Sequence, residues 1–373
     1  MNWKEMFSPK GREGSPDLIL LSAVLILVAV GTIMIYSSSS IMAMERFRDG
    51  LYFLKRQVVY VAFGLLLMIR LSRFPYENLR SFAYPGVIVS VILLILVFVP
   101  HIGIRVGGAR RWINLGFISF QVSELVKMAL VLFLAYYVDR KTAHLKDFRR
   151  GIVIPFSVVL VLAALVVKEP DFGTAAILVA ITMMMLYVGG VRLTHLMGIA
   201  ALAVPLGVFF VLTKGYRISR ITAFLDPWRD PQRSGFQIIQ SYLSFGSGGT
   251  FGVGVGDGMQ KLFYLPEPHT DFILSVLAEE GGFFGVAVVI CLFIVLILRG
   301  FFISMRAPDT FGSLLAAGLT MVIALEAFIN IAGVMGIIPL KGLALPFLSY
   351  GGTALVTSLA AVGILLNISS HET

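Results

Sequence analysis

Asp271 is the residue of this 373-residue chain whose type and setting most invite chemistry. It closes the polar run Pro266-Glu267-Pro268-His269-Thr270-Asp271, directly before an apolar stretch that opens Phe272-Ile273. Upstream, Arg217, Arg220, Trp228, Arg229, Arg233 and Lys261 make a basic, aromatic-bearing segment. A carboxylate at a membrane surface beside such cations suits acid/base work on an anionic, lipid-linked molecule. The competing reading is a helix N-cap, a common role for Asp. A helix N-terminus favours the anion and makes a poorer base, while partial desolvation acts the other way. Residue types alone leave both readings open.

Other polar groups interrupt apolar runs. Arg110 and Arg111, in Gly107-Gly108-Ala109-Arg110-Arg111-Trp112, could grip a phosphate as paired guanidiniums, or simply snorkel and anchor the next helix. Glu124 and Lys127 are spaced i,i+3 on one helical face, as a structural ion pair or as part of a substrate cavity. In Lys168-Glu169-Pro170-Asp171-Phe172-Gly173-Thr174, Asp171 is placed to cap the following helix and Glu169 is the better cavity candidate. Glu279 and Glu280 lie deep in an apolar stretch, and Glu326 and Asn330 share a helical face with no partner evident. Lys341 stands among Pro and Gly, where it could meet a phosphate or merely snorkel. The glycine-rich run from Gly246 to Gly258 lacks the strand–helix setting of a dinucleotide fold and reads as a tight re-entrant segment or a connector.

The elements that must position these groups are membrane helices. Hydrophobic residues make up 58% of the chain and charged ones only 14%, against about 25% in globular domains. Mean hydropathy is +0.90. Apolar runs predict helices near 18–36, 55–71, 83–100, 121–138, 152–168, 172–190, 194–212, 272–298, 312–332 and 351–368. The fold class expected is an all-α polytopic membrane protein, about ten transmembrane helices with a large extracytoplasmic loop between the seventh and eighth. Residues 1–17 and 369–373 form cytoplasmic tails, 18–368 one transmembrane domain, and 213–271 the large loop. The Lys and Arg bias of the short loops, heaviest in 140–150, favours both termini in the cytoplasm. The net charge of +9 suits anionic headgroups better than nucleic acid. The lone Cys291 excludes an intramolecular disulfide, and the five His form no metal-ligand pattern.

Four stretches taken in order resemble the SEDS family, the FtsW/RodA/SpoVE polymerases of bacterial cell-wall synthesis. They are Gly108-Ala109-Arg110-Arg111-Trp112-Ile113, Glu169-Pro170-Asp171-Phe172-Gly173-Thr174, Tyr264-Leu265-Pro266-Glu267-Pro268-His269-Thr270-Asp271-Phe272-Ile273 and Pro346-Phe347-Leu348-Ser349-Tyr350-Gly351-Gly352. Leu340-Lys341-Gly342-Leu343 is nearer the division member than the elongation member. Val122, Pro268, Glu326 and Thr353 depart from the family pattern without removing a proposed catalytic group.

The resemblance implies an inverting glycosyltransferase that polymerises lipid II into β-1,4 glycan on the outer face of the cytoplasmic (inner) membrane. It implies Asp271 as the catalytic residue, with Arg110, Arg111, Glu124, Lys127, Glu169, Arg217, Arg220, Lys261, Glu267, His269, Lys341 and Ser349 as substrate-binding candidates. The implied partners are lipid II, a class B penicillin-binding protein transpeptidase, and the divisome or elongasome. No cofactor is called for, although a divalent cation could assist the leaving pyrophosphate. A lipid II flippase, using Glu124, Lys127, Glu279 and Glu280 as a path, is the alternative, and a non-catalytic scaffold a third class.

Overall fold

The computed structural model describes residues 14–106, 109–114, 119–213, 215–259 and 268–371. Each expected span coincides with a helix: α1 (Leu18–Phe47), α2 (Tyr52–Arg73), α3 (Ala83–Leu96), α4 (Val122–Lys141), α5 (Ile154–Lys168), α6 (Phe172–Val188), α7 (Leu193–Leu212), then, after α8 (Gly215–Leu225) and α9 (Phe236–Gly248), α10 (Ile273–Arg306), α11 (Thr310–Val334) and α12 (Gly352–Ser369). Eight of these spans are long and apolar enough to cross a membrane. The other two are the 17-residue α6 and α4, which carries Glu124 and Lys127. The chain is therefore a multi-pass membrane protein. Helices suit such runs because each satisfies its own backbone where water is absent.

Three helices start on an aspartate that accepts a backbone N–H in the first turn: Asp17 from Leu20, Asp171 from Thr174 and Asp309 from Gly312. The helical class holds with one addition. The stretch between α3 and α4 forms a three-stranded antiparallel sheet, β1 (Gly103–Val106), β2 (Ala109–Asn114) and β3 (Ser119–Gln121). The Gln121 N–H donates to Thr353 Oγ1, which donates in turn to the Ser119 carbonyl. Thr353 thus ties the sheet to α12 with the hydroxyl that Ser would offer.

The most extensive helix pair is α2 with α12, and α10 packs on α1 and α11. Helices associate in lipid by close approach of small residues. A Cβ on Gly363 of α12 would stand 2.6 Å from the Met68 carbonyl oxygen of α2. The core lies along α4, α11 and α12, whereas α7 is almost wholly exposed.

The glycine-rich segment after α9 is spliced into α10. At Gly282 that helix is broken (φ 61°, ψ −163°). The N–H groups of Phe283 and Phe284 donate to Gly249 and Thr250, and the carbonyls of Glu279 and Glu280 accept from Val253 and Gly254. The loop so replaces helical hydrogen bonds one for one, which lipid-depth backbone demands. A Cβ at Gly282 would collide with the Gly252 backbone. The run is thus tightly packed into α10.

Candidate functional site

Asp271 is half-buried in a turn just ahead of α10. The cap position of α10 is Phe272, and no side chain caps it, so the N-cap reading of Asp271 does not hold. Three consecutive carbonyls of the turn are held from elsewhere in the chain. His269 O accepts from the Tyr350 N–H at 2.8 Å. Thr270 O accepts from Ser349 Oγ at 2.6 Å, and Asp271 O from Asn330 Nδ2 at 3.0 Å. The side chain of Asp271 faces the loop after α11. Gly342, at φ 61°, lies so close that a Cβ there would stand 2.9 Å from Asp271 Oδ2. Only glycine meets both conditions without strain.

Lys341, next along that loop, runs over Gly173 toward Asp171. Burial pulls its ammonium below the ordinary lysine value, with Asp171 acting in opposition. Asp171 Oδ2 lies 3.8 Å from Arg111 Nη1. Arg111 also donates to the carbonyls of Glu169 (3.3 Å) and Pro170 (2.8 Å), fastening β2 onto the α5–α6 turn. Arg220 of α8 reaches the Leu340 carbonyl at 3.5 Å, and Arg217 stacks over Phe172 with 5.3 Å to the ring centre. Arg111, Glu169, Asp171, Arg217, Arg220, Lys341 and Asp271 therefore form one contiguous neighbourhood drawn from five parts of the chain. Within such a neighbourhood a carboxylate can take a proton from a hydroxyl and cations can steady a departing anion.

Glu169 is fully buried, and among the described residues neither carboxyl oxygen has a hydrogen-bond partner. Burial, with Asp171 adding and Arg111 opposing, pushes its carboxyl up to about 8.

The remaining candidates fall elsewhere. Arg110 and Arg111 are neighbours on β2 where its register with β1 shifts, Arg110 pairing with Arg105 and Trp112 with Ile104. Arg110 is exposed while Arg111 turns to the α5–α6 turn. Glu124 and Lys127 join Glu326 in a buried cluster. Lys127 Nζ donates to both Glu124 oxygens at 2.8 Å and to Glu326 Oε1. The cluster supplies the partner that Glu326 lacked in the sequence. His269 is buried between Phe53 and Tyr350, with ring centres 4.3 and 5.5 Å away. Burial, with Arg46 adding, holds its imidazole down to about 4. Ser349 is equally internal, bridging Thr270 O and the Leu345 N–H. Lys261 and Glu267 lie outside the described residues. Among the described residues no three His, Cys, Asp or Glu side chains gather as a metal-ligand set. A concavity of about 890 Å³ beside the α1–α2 turn, lined by Tyr36, Met44, Glu45 and Arg48, contains none of the candidates.

Sequence reasoning missed two members of this neighbourhood. Asn330 stood out as a polar group in an apolar span without a role, and Gly342 entered only as part of the Leu340-Lys341-Gly342-Leu343 resemblance. The signal for the first was there, since polar side chains inside a span usually have a purpose.

Known proteins offer close parallels. The family model FTSW_RODA_SPOVE, described as "Cell cycle protein", matches residues 17–373. A probable peptidoglycan glycosyltransferase FtsW from Trichlorobacter lovleyi is 49% identical over 354 residues, covering 95% of this chain and 93% of that protein. Stage V sporulation protein E of Bacillus subtilis is 41% identical over 361 residues, covering 97% and 99%. Among solved structures, a chain reported under "Structural coordination of polymerization and crosslinking by a peptidoglycan synthase complex" superposes with a TM-score of 0.78 at 32% identity, covering 95% of this chain and 97% of its own. The rod shape determining protein RodA of Thermus thermophilus gives 0.68 at 28% identity, covering 95% and 96%. By sequence over residues 17–373 and by fold, this chain belongs to the FtsW/RodA/SpoVE family.

Proposed function

We propose that this chain is a peptidoglycan glycosyltransferase that polymerises lipid II, with Asp271 as its general base. The observation that carries the reading is Asp271 itself: half-exposed, one residue ahead of the cap position of α10, with its carboxylate against Gly342 of the loop that also carries Lys341. Relatives named for the same activity support it. The C4 hydroxyl of an acceptor GlcNAc attacks C1 of the donor sugar as Asp271 takes its proton. The bond from C1 to the pyrophosphate oxygen breaks, and undecaprenyl pyrophosphate leaves toward the cations. An α-linked donor yields a β-1,4 bond, so one displacement with inversion suffices and no covalent enzyme intermediate forms. No resident cofactor enters this scheme.

The reaction takes place on the outer face of the bacterial cytoplasmic membrane, with both termini inside. A class B penicillin-binding protein is the crosslinking partner, by analogy with the synthase complex whose polymerising chain this one resembles. The charges a flippase path would use are engaged internally instead: Glu124 and Lys127 with Glu326, Glu279 with the Met259 N–H, and Glu280 with Ser37.

Purified protein, with and without its transpeptidase partner, is given labelled lipid II and the products are resolved on a gel. Wild type makes polymer and Asp271→Ala, folded and partner-bound, loses at least about 100-fold in rate, the lower end of what a general base contributes. Polymer from both at equal rate removes Asp271 from the chemistry.

A further inference from the structure

Asn330 is buried on α11, and its Nδ2 donates to two carbonyls of separate segments, Asp271 at 3.0 Å and Leu343 at 2.6 Å. Those segments are the His269–Asp271 turn and the loop carrying Lys341 and Gly342. The amide orientation follows from the acceptors, since a flipped Asn would set Oδ1 against two carbonyl oxygens. Oδ1 itself is buried and has no donor among the described residues. A half-satisfied buried amide is a poor choice for stability alone. His269 and Thr270 are already fixed by Tyr350 and Ser349, so Asn330 is the contact that reaches the peptide of the aspartate itself.

We propose that Asn330 is a positioning residue for Asp271, resting on the reading of Asp271 as general base: its amide clamps the aspartate's backbone to the Gly342–Leu343 loop and so sets the carboxylate against Gly342. A Cβ at Gly342 would stand 2.9 Å from Asp271 Oδ2, so the carboxylate has little room toward the loop and loosening the clamp lets it move outward. A base moved by about 1 Å can lose 100-fold in rate while substrate binding is untouched.

The test is steady-state polymerisation of labelled lipid II by the full chain with its partner, together with melting temperature. Asn330→Ala leaves space and Asn330→Leu fills it, so the pair covers both ways a variant can fail to fold. Asn367→Ala is the structural control, because Asn367 makes the same kind of bridge, from the Tyr76 N–H to the Ser72 carbonyl, between other elements. Expected is a fall in kcat of roughly 10- to 100-fold with KM within about twofold for a folded Asn330 variant. The control loses melting temperature and keeps kcat per folded molecule. A folded Asn330 variant with wild-type kcat overturns the proposal, as does a loss that merely tracks the folded fraction. Wild type without polymer sinks the glycosyltransferase reading beneath it, a result distinct from an active wild type with active variants.

Discussion

Glu169 offers a pH signature that no other described residue near Asp271 shares. Its carboxyl is raised to about 8 in the fold from an ordinary 4.5, chiefly by burial. The unfolded chain therefore gives up this proton first, and stability present below about pH 4.5 is lost progressively as pH rises toward about 8. Glu169→Gln should flatten that part of a melting-temperature profile between pH 5 and 8, and a profile of unchanged slope would refute the assignment. The sequence singled out Glu169 and Asp171 because polar groups between two apolar spans are conspicuous. It did not show that Arg111 would reach them from 58 residues away. Nor did it separate Arg111 from Arg110, because that distinction depends on a strand whose existence rests on tertiary pairing.

Elements were legible where length carried the signal. Ten runs of bilayer length gave ten helices, but the three short strands between α3 and α4 left no comparable periodicity. The Glu124–Lys127–Glu326 cluster joins α4 to α11, with two carboxylates sharing one ammonium in a buried site. Lys127→Met should strand both carboxylates and destabilise by about 3–5 kcal/mol, whereas Glu326→Gln leaves the Glu124 pair whole and should cost far less. Thermal unfolding in detergent compares them, and equal losses would contradict this account. Gly282→Ala should unseat the spliced loop, since the backbone is at positive φ and the Cβ has no room. Hydrogen exchange of residues 249–258 should then rise while α12 stays protected.

On the scale of the whole molecule, the proposed orientation places 140–150 and the segment bearing α8 and α9 on opposite sides of the membrane. Arg233→Cys in intact cells should react with a membrane-impermeant thiol reagent, and Lys146→Cys only after permeabilisation. The native Cys291 lies within α10 and should stay silent in both. The reverse pattern would invert the topology. Charge bias between loops was the only sequence cue to this, and it weighs many residues at once.

The splice at Gly282 also dictates an order of assembly. The glycine run leaves the ribosome before the helix that receives it, so its backbone groups have no partners at lipid depth until α10 has entered the bilayer. The loop therefore waits at the aqueous surface during synthesis and inserts afterwards. A chain truncated short of Glu279 and released into the membrane would display residues 249–258 to protease, whereas the full chain, with α10 in place, would protect them.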